Sequence, residues 1–190
     1  MTTQVAKVTP PPGVVSFVDN VGSSTIWGAE LEANAVMSKN ISANLTFGYV
    51  NAKFNEFLVY DLPTGQYIDV ADSRVFQNTP EFTLSTSVNF HGEVAGGWLT
   101  VQPMLSFRSE AHLFEIPIQA IDQGAYQLVD LSITWTSPNE QWRFGLHGRN
   151  LLDERYRTGG YNFPLNQYAQ SVIGFYGAPR TVRASVEYRF

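Results

Sequence analysis

The stretch VDLSITW, residues 129–135, alternates strictly between apolar and polar side chains. Its apolar members are Val129, Leu131, Ile133 and Trp135, and its polar members are Asp130, Ser132 and Thr134. Successive side chains of a β-strand point to opposite faces of the sheet, so this pattern predicts a strand with one apolar face and one polar face.

Six further stretches alternate in the same way, which predicts seven strands in all. They are residues 25–37, 41–49, 82–90, 99–108, 142–149 and 181–190. No stretch has a convincing helical period. Most of these strands are longer than the usual length of about five or six residues in soluble sheets, and they match the length that crosses a bilayer at a tilt.

The composition favours a membrane barrel over a soluble domain. Charged residues make up 15% of the chain and aromatic residues 14%, whereas soluble domains carry about 25% charged residues. The apolar runs are far shorter than the ~20 residues of a membrane helix. Because only alternate residues of a barrel strand face lipid, the composition and the alternation together predict an all-β, antiparallel transmembrane β-barrel segment.

The connections between the strands alternate in length. Short turns are expected at residues 38–40, 91–97 and 137–141, and long connections at residues 56–79, 110–124 and 157–178. Outer-membrane barrels have tight periplasmic turns and longer extracellular loops. We therefore expect the long connections to face the cell exterior. Residues 1–21 are expected to form another extracellular loop with a possible strand stub at residues 4–8.

Charge, cysteine and histidine content argue against several classes of function. A net charge of −5 leaves no basic stripe for nucleic acid, and the absence of cysteine excludes disulfides and thiol nucleophiles. His91 is expected in a short turn, His112 in a long connection and His147 on a polar face, so they do not predict a metal site. We predict no cofactor, no catalytic site and no enzyme. A Ser-His-Asp match on the polar face is close to chance because that face carries many serines.

Three motifs resemble the TonB-dependent outer-membrane receptor family. WGAELE at 27–32 is similar to a Gly-x-Glu-x-Glu strand of that family, and GLHGRNLLDERY at 145–156 to its Asn-Leu-Phe/Leu-Asp-x-x-Tyr segment. GAPR at 177–180 resembles the Gly-x-Pro-Arg that precedes a final strand with a terminal aromatic residue. The matching positions are Asn150, Leu151, Asp153, Tyr156, Gly177, Pro179 and Arg180. The motifs occur in the family's order, and the resemblance covers nearly the whole chain.

The resemblance implies the C-terminal part, residues 22–190, of a barrel of about 22 strands around a plug. It implies import of a scarce ligand, such as a ferric siderophore or another metal chelate, across the outer membrane of a Gram-negative bacterium. The implied partners are outer-membrane lipid, a plug domain, TonB and the barrel-assembly machinery, which would read Val186, Tyr188 and Phe190 as an assembly signal. The first residues lack the pattern of a signal peptide, so we expect a fragment of a longer protein.

Two sets of residues are candidates for contact with a ligand. The polar strand faces place charged side chains toward the barrel lumen, where they would balance one another or contact a plug or ligand; these are Glu30, Glu32, Asp130, Arg143, His147, Arg149, Arg183 and Glu187. The long connections carry aromatic residues that would stack on a ligand or pack the loops; these are Tyr60, Tyr67, Tyr161, Phe163, Tyr168 and Tyr176.

Two alternatives remain open at this point. The first is a complete eight-stranded outer-membrane barrel that acts as an adhesin or a structural protein, with residues 4–17 as the eighth strand. The second is a soluble, secreted β-sandwich that binds sugar or protein, since sandwiches also consist of alternating strands.

Overall fold

The computed structural model describes residues 2–8, 16–61, 63–163 and 171–190, with side chains from residue 22 onward in those ranges. The strands are β1 Thr2–Val8, β2 Ser16–Ser38, β3 Ile41–Asp61, β4 Gln66–Asp69, β5 Phe82–Val94, β6 Gly97–Arg108, β7 Tyr126–Thr136, β8 Trp142–Arg149, β9 Arg157–Asn162, β10 Val172–Tyr176 and β11 Thr181–Tyr188. A short 3-10 helix spans Ala71–Ser73. Within these ranges the structure contains no helix that is long and apolar enough to span a bilayer.

Eight of the strands form one antiparallel sheet in the order β1-β2-β3-β5-β6-β7-β8-β11. The seven strands predicted from alternation are all present, and the predicted stub is β1, paired with β2. Strand β4 pairs with the far end of β3, and β9 and β10 form a separate hairpin. In the described part of the chain β1 and β11 are not paired with each other, so the sheet is open. A closed eight-stranded barrel would require that pairing.

Where side chains are described, from residue 22 onward, each strand of the sheet contributes one side to an apolar face and the other to a polar face. On the apolar face Leu131 of β7 pairs with Pro103 of β6 and Gly148 of β8. On the polar face its neighbour Ser132 pairs with Gln102 and His147. Since paired residues in an antiparallel sheet point the same way, the alternation within β7 continues across its neighbours.

The apolar face is not covered by the rest of the described chain. The only hydrophobic residues buried in that part of the chain are Phe54, Phe57, Leu113 and Ile121, all outside the apolar face. Trp27 on that face is 57% exposed and Val186 is 65% exposed. An apolar surface of this extent requires a nonaqueous neighbour. No second sheet packs on it among the described residues, so the β-sandwich alternative lacks its other layer.

Aromatic residues form a belt at each end of the apolar face. At the end with the long connections, the ring of Tyr49 lies 5.1 Å from Trp27 and 5.0 Å from Phe82. At the end with the short turns, Trp142 lies 4.6 Å from Tyr188 and 6.1 Å from Phe144. On β5 the first belt lies at Phe82, and the row of the sheet that contains Phe144 of the second belt crosses β5 at Gly92. The strand between these two residues is about 34 Å long, which corresponds to a height of about 26 Å at the usual strand tilt. That spacing matches the apolar band of a membrane barrel, which is about 25 Å tall.

Strands β2 and β3 are longer than their alternating patterns predicted. Strand β2 begins at Ser16, within the residues expected to form a loop, and β3 continues to Asp61 instead of ending at residue 49. A bulge explains the difference: Ser24 pairs with Phe54, but Ser23 pairs with Glu56, which leaves one extra residue in β3. The bulge turns Phe54 and Phe57 to the same side and interrupts the period of two.

Two expected connections also differ from the structure. Strand β5 continues to Val94, and the turn consists of Ala95 and Gly96 at positive φ. His91 therefore lies in a strand on the polar face and not in a turn, with its backbone carbonyl bonded to the Asn40 side chain. Conversely, the connections expected at 56–79 and 157–178 contain β4, the 3-10 helix and the β9–β10 hairpin.

Candidate functional site

Three connections pack together at one end of the sheet. They are residues 63–81, 109–125 and 157–163 with 171–176, which we call the outer layer. The middle connection contacts both others: its Glu115 carbonyl accepts a hydrogen bond from the Val75 amide at 2.9 Å, and its Asp122 carbonyl accepts one from Arg157 Nη1 at 2.9 Å. The outer layer is therefore one connected structure rather than three independent loops.

Ile121 and Asp122 organise the middle connection. Ile121 is 1% exposed and packs on Gly160 of β9, where any Cβ would overlap it. The Asp122 carboxylate accepts hydrogen bonds from the amide of Ile118 at 3.1 Å and from the amide of Leu113 at 3.3 Å. It also lies 2.7 Å from Nδ1 of His112. The carboxylate thus fixes the conformation of this connection, and the buried side chain of Ile121 packs it against the β9–β10 hairpin.

Ile121→Ala is expected to separate the middle connection from the β9–β10 hairpin. Removing a fully buried isoleucine costs about 2–5 kcal/mol, here in local stability because the contact joins two loops and not two barrel strands. Hydrogen exchange at the amides of Ala111 and Gln123, which are bonded to each other's carbonyls, would report the loss as reduced protection. Ile116→Ala is the matched control because Ile116 is 48% exposed. Equal protection in the two variants would contradict the assignment.

A small aromatic core supports the outer end of β3. Phe54 stacks on Phe76 with ring centroids 4.2 Å apart and meets Phe57 edge to face at 5.1 Å. Asp69 Oδ1 accepts hydrogen bonds from the amides of Phe57 at 2.9 Å and Ala71 at 3.0 Å. These bonds favour the charged carboxylate, so they lower the pKa of Asp69 below its ordinary value of 3.8.

Acid is expected to loosen the contact between Asp69 and β3. Because the pKa of Asp69 is lowered on folding, its contribution to stability is complete above its ordinary value of 3.8 and is lost as the pH falls through the folded value. Protection of the Phe57 and Ala71 amides from hydrogen exchange, corrected for intrinsic rates, should then decline below pH 3.8. Asp69→Asn should remove that pH dependence. Asp72→Asn, in the 3-10 helix, should leave it intact, and a flat profile in the wild type would refute the role.

The aromatic candidates that the structure describes form two groups of rings, and Tyr176 lies apart from both. Tyr60 and Tyr67 meet at 5.4 Å across the β3–β4 hairpin. On the β9–β10 hairpin, Tyr161 lies 5.9 Å from Phe163. It also lies 5.3 Å from Phe175, a ring that was not among the candidates. Tyr176 stands apart from both groups, beside two arginines. Tyr168 lies outside the described residues. Apart from Phe163, which follows β9, the described rings belong to paired strands and not to irregular loops.

A cleft opens between β3 and the outer layer. Its volume is about 220 Å³, and its lining combines apolar and polar groups; these are Val50, Asn51, Ala52, Val75, Phe76, Thr79, Glu81 and His112. The histidine side chain at its edge is held by Asp122. The cleft has the size for a small polar group and not for a complete metal chelate.

The eight charged candidates all lie on the polar face, and four of them form two cross-strand pairs between β8 and β11: Arg143 with Glu187, and His147 with Arg183. Arg143, His147 and Glu187 line a recess of about 610 Å³ near the short-turn end. His147 Nδ1 is 2.9 Å from Ser132 Oγ. The remaining four have uncharged cross-strand partners, which are Gly48 for Glu30, Thr46 for Glu32, Met104 for Asp130 and Thr181 for Arg149. Among the described residues no three His, Asp or Glu side chains are grouped to hold a metal ion.

The two C-terminal motifs bind each other. The buried Asn150 has a φ of 49° and donates from Nδ2 to the carbonyls of Glu154 at 2.9 Å and Ala178 at 3.1 Å. Asp153 accepts a hydrogen bond from the backbone amide of Arg180 at 3.0 Å, so the contact between these residues does not use the guanidinium. These bonds position the chain where it enters β11.

Other motif residues pack around this junction. The amide of Gly177 donates to the Tyr156 carbonyl at 2.9 Å, and a Cβ at Gly177 would overlap the Tyr156 ring. That ring stacks on Tyr126 at 4.7 Å. Leu151 covers Gly148 on the apolar face. The need for glycine at 177 therefore follows from ring packing.

Sequence reasoning missed several residues that build the outer layer. Phe54 and Phe57 carried a detectable signal, because two buried rings three positions apart in a strand indicate a bulge. Asp69 precedes the 3-10 helix, a position where aspartate commonly accepts backbone hydrogen bonds. Ile121 carried no local signal, since its partner Gly160 lies in a connection distant in sequence.

An apolar face between two aromatic belts, a polar face opposite it and a layer of loops at one end define the wall of an outer-membrane β-barrel. The chain belongs to the TonB-dependent receptor family: residues 2–151 match the family model described as TonB dependent receptor-like, beta-barrel. It is accordingly an outer-membrane protein of a Gram-negative bacterium.

Known relatives are several times longer than this chain. It is 25% identical over 169 residues to the pesticin receptor of Yersinia enterocolitica, covering 86% of this chain and 22% of that protein. Its fold is similar to the ferric yersiniabactin uptake receptor FyuA from Yersinia pestis, with a TM-score of 0.71, 22% identity, and coverage of 92% of this chain and 25% of FyuA. The siderophore receptor PiuA from Acinetobacter baumannii gives 0.70 and 18%, with coverage of 98% and 24%.

Proposed function

We propose that this chain is part of an outer-membrane TonB-dependent receptor that imports a scarce ligand such as a ferric siderophore. It supplies C-terminal barrel wall, extracellular loops and a terminal assembly signal, and it performs no catalysis. The observation that carries the proposal is the connected outer layer, with exposed rings such as Tyr161 and Phe175, at one end of a wall whose inner face is polar.

The class of ligand follows from the relatives. One structural neighbour is named as a ferric yersiniabactin uptake receptor and another as a siderophore receptor. Extending that role to this chain assigns the outer layer to the extracellular side, where a chelate would arrive first. It also assigns the polar face to the lumen, where a plug domain would lie, with TonB as the source of energy. A chelate with aromatic groups would stack on the exposed rings of the β9–β10 hairpin.

Iron uptake by the bacterium that encodes this chain tests the proposal. Cells would receive radioactive iron bound to catecholate, phenolate or hydroxamate chelators, and a strain without the gene is expected to lose uptake of at least one of them. Collapse of the proton-motive force should abolish uptake but not surface binding. Unchanged uptake of every chelate in the strain without the gene would overturn the proposed function.

Substitution of the β9–β10 rings tests the ligand contact separately. Tyr161→Ser with Phe175→Ser is expected to reduce binding of the transported chelate about tenfold or more, since each loses an exposed aromatic surface. Ile116→Ser, which also removes an exposed apolar side chain from the outer layer, is the control. Surface abundance should be equal in all strains. Full binding by the double variant would assign these rings to loop packing alone.

Deleting Phe190 is expected to reduce assembly of the receptor into the outer membrane several-fold. Val186 and Tyr188 lie on the apolar face, and Phe190 continues that row with its ring 5.0 Å from Tyr188. Phe190 is fully exposed and its ring contact is with Tyr188 on the same surface, so its loss removes no buried packing. Phe190→Trp, which keeps a terminal aromatic ring, should preserve assembly. Undiminished surface levels after the deletion would leave the residue a role in the aromatic belt only.

A further inference from the structure

Two arginines share one tyrosine ring beside the β9–β10 hairpin. The Arg155 guanidinium carbon lies 5.0 Å from the centroid of Tyr176, and that of Arg157 lies 6.0 Å from it. A bulge between Phe175 and Tyr176 places Tyr176 opposite Arg157 in the hairpin. Two positive charges are thus held near one aromatic surface that is about half exposed.

Neither charge is neutralised by a neighbouring carboxylate. Within the described ranges Arg74 and Arg189 each have a glutamate within 4.0 Å, but Arg155 and Arg157 form no ion pair. Because both groups are positively charged and neither has a carboxylate partner, an anion beside them would be attracted to both. This is notable in a chain whose net charge is −5, because carboxylates are in excess.

The surrounding structure orients one of the two arginines. The Arg157 amide donates to the side-chain oxygen of Gln123, and Arg157 Nη1 donates to the Asp122 carbonyl at 2.9 Å. A guanidinium has five N–H donors, so most of those on Arg157 remain for another acceptor. Arg155 is exposed, and its guanidinium touches only the ring of Tyr176 among the described residues. The donors are therefore partly preorganised and accessible.

We propose that Arg155, Arg157 and Tyr176 form a binding site for a polyanionic oxygen ligand. Guanidinium groups bind carboxylate, phosphate and similar oxygens through paired, charge-assisted hydrogen bonds. Both groups also lie within cation–π distance of the Tyr176 ring, which favours their position beside it. Two sources supply such oxygens at the outer surface: the charged oxygens of a ferric catecholate and the phosphates of lipopolysaccharide. The site rests on the geometry of these three residues and does not depend on the proposed transport function.

Binding by the intact receptor, extracted from outer membranes in detergent, tests the site. The probes are the iron(III) complex of dihydroxybenzoate and purified lipopolysaccharide, each titrated calorimetrically at low and at high salt. Arg155→Gln is expected to weaken binding of one probe about tenfold. The affinity of Arg155→Lys should lie between those of the wild type and Arg155→Gln, because lysine keeps the charge and loses the planar fork. The wild-type affinity should decrease with added salt.

Arg180→Gln is the matched control, because the Arg180 guanidinium forms no hydrogen bond, ion pair or ring contact with a described residue. It removes the same charge from the same end of the sheet and should change binding less than twofold. A selective loss for the chelate in Arg155→Gln would identify the ligand as a metal chelate, and a selective loss for lipopolysaccharide would identify it as lipid phosphate. Unchanged binding of both probes, or an equal loss in Arg180→Gln, would overturn the proposal.

Discussion

Arginine at Leu131 is expected to destabilise the folded barrel by about 2–4 kcal/mol, the range for a charge on the lipid face at mid-membrane. Leu131 lies near the middle of β7 on the apolar face, and its cross-strand neighbours Pro103 and Gly148 offer no polar group. A guanidinium there would have to remain in hydrocarbon or distort the bilayer. Reversible unfolding of the receptor in lipid vesicles by urea would measure the loss.

Thr134→Arg in the same strand is the control for that prediction. Thr134 lies on the polar face, lines the large recess and pairs with Thr100 and Gly145, so an arginine there has space and a wet environment. We expect a change within about 1 kcal/mol, as for ordinary surface substitutions. Equal cost at the two positions would mean that the faces are wrongly assigned.

Alanine at Asn150 is expected to cost about 3 kcal/mol. The substitution removes the two hydrogen bonds donated by Nδ2 and the one that Oδ1 accepts from the Glu154 amide at 2.8 Å. Each contributes about 1 kcal/mol, and buried partners left unpaired cost more. Alanine also tolerates a φ of 49° less well than asparagine does. Unfolding in vesicles and increased hydrogen exchange at the start of β11 would measure the effect.

Two companion substitutions separate the causes. Asn150→Gly restores freedom at positive φ without the side chain, so it should be more stable than the alanine variant by about 1 kcal/mol. Asn150→Asp keeps the acceptor for the Glu154 amide but loses both donors, and it places a second carboxylate near Asp130, whose Oδ1 accepts from the Asn150 amide. Wild-type stability of the alanine variant would show that the two motifs do not depend on this residue.

The sheet was predictable from the sequence because each face of a strand faces one environment. The alternation in residues 129–135 identified β7 and its two faces without reference to any neighbour. It failed where the backbone departs from a regular ladder. The extra residue opposite Ser23 and Ser24 shifts the period, so the second half of β3 could not be recognised. Similarly, residues 91–94 were expected in a turn but lie inside β5.

The outer layer was predictable only in part. Aromatic content indicated where rings would be exposed, but their grouping depends on the pairing of β9 with β10 and of β3 with β4. Contacts between connections distant in sequence, such as Ile121 with Gly160 or Arg157 with Asp122, leave no local pattern. For the same reason, the sequence did not predict that Arg155 and Arg157 lie beside Tyr176. Whether any candidate ring contacts a ligand stays a prediction.

The assignment of the two faces is tested most directly by single-cysteine labelling of the receptor in its outer membrane. This chain contains no cysteine, so each introduced cysteine on it is unique. A spin label would be placed at one residue at a time from 129 to 134. Its accessibility would then be measured to oxygen, which concentrates in lipid, and to a water-soluble nickel chelate. We predict that labels at 129, 131 and 133 respond to oxygen and those at 130, 132 and 134 to the nickel chelate. Uniform accessibility, or the opposite phase, would contradict a barrel wall with lipid on the apolar face.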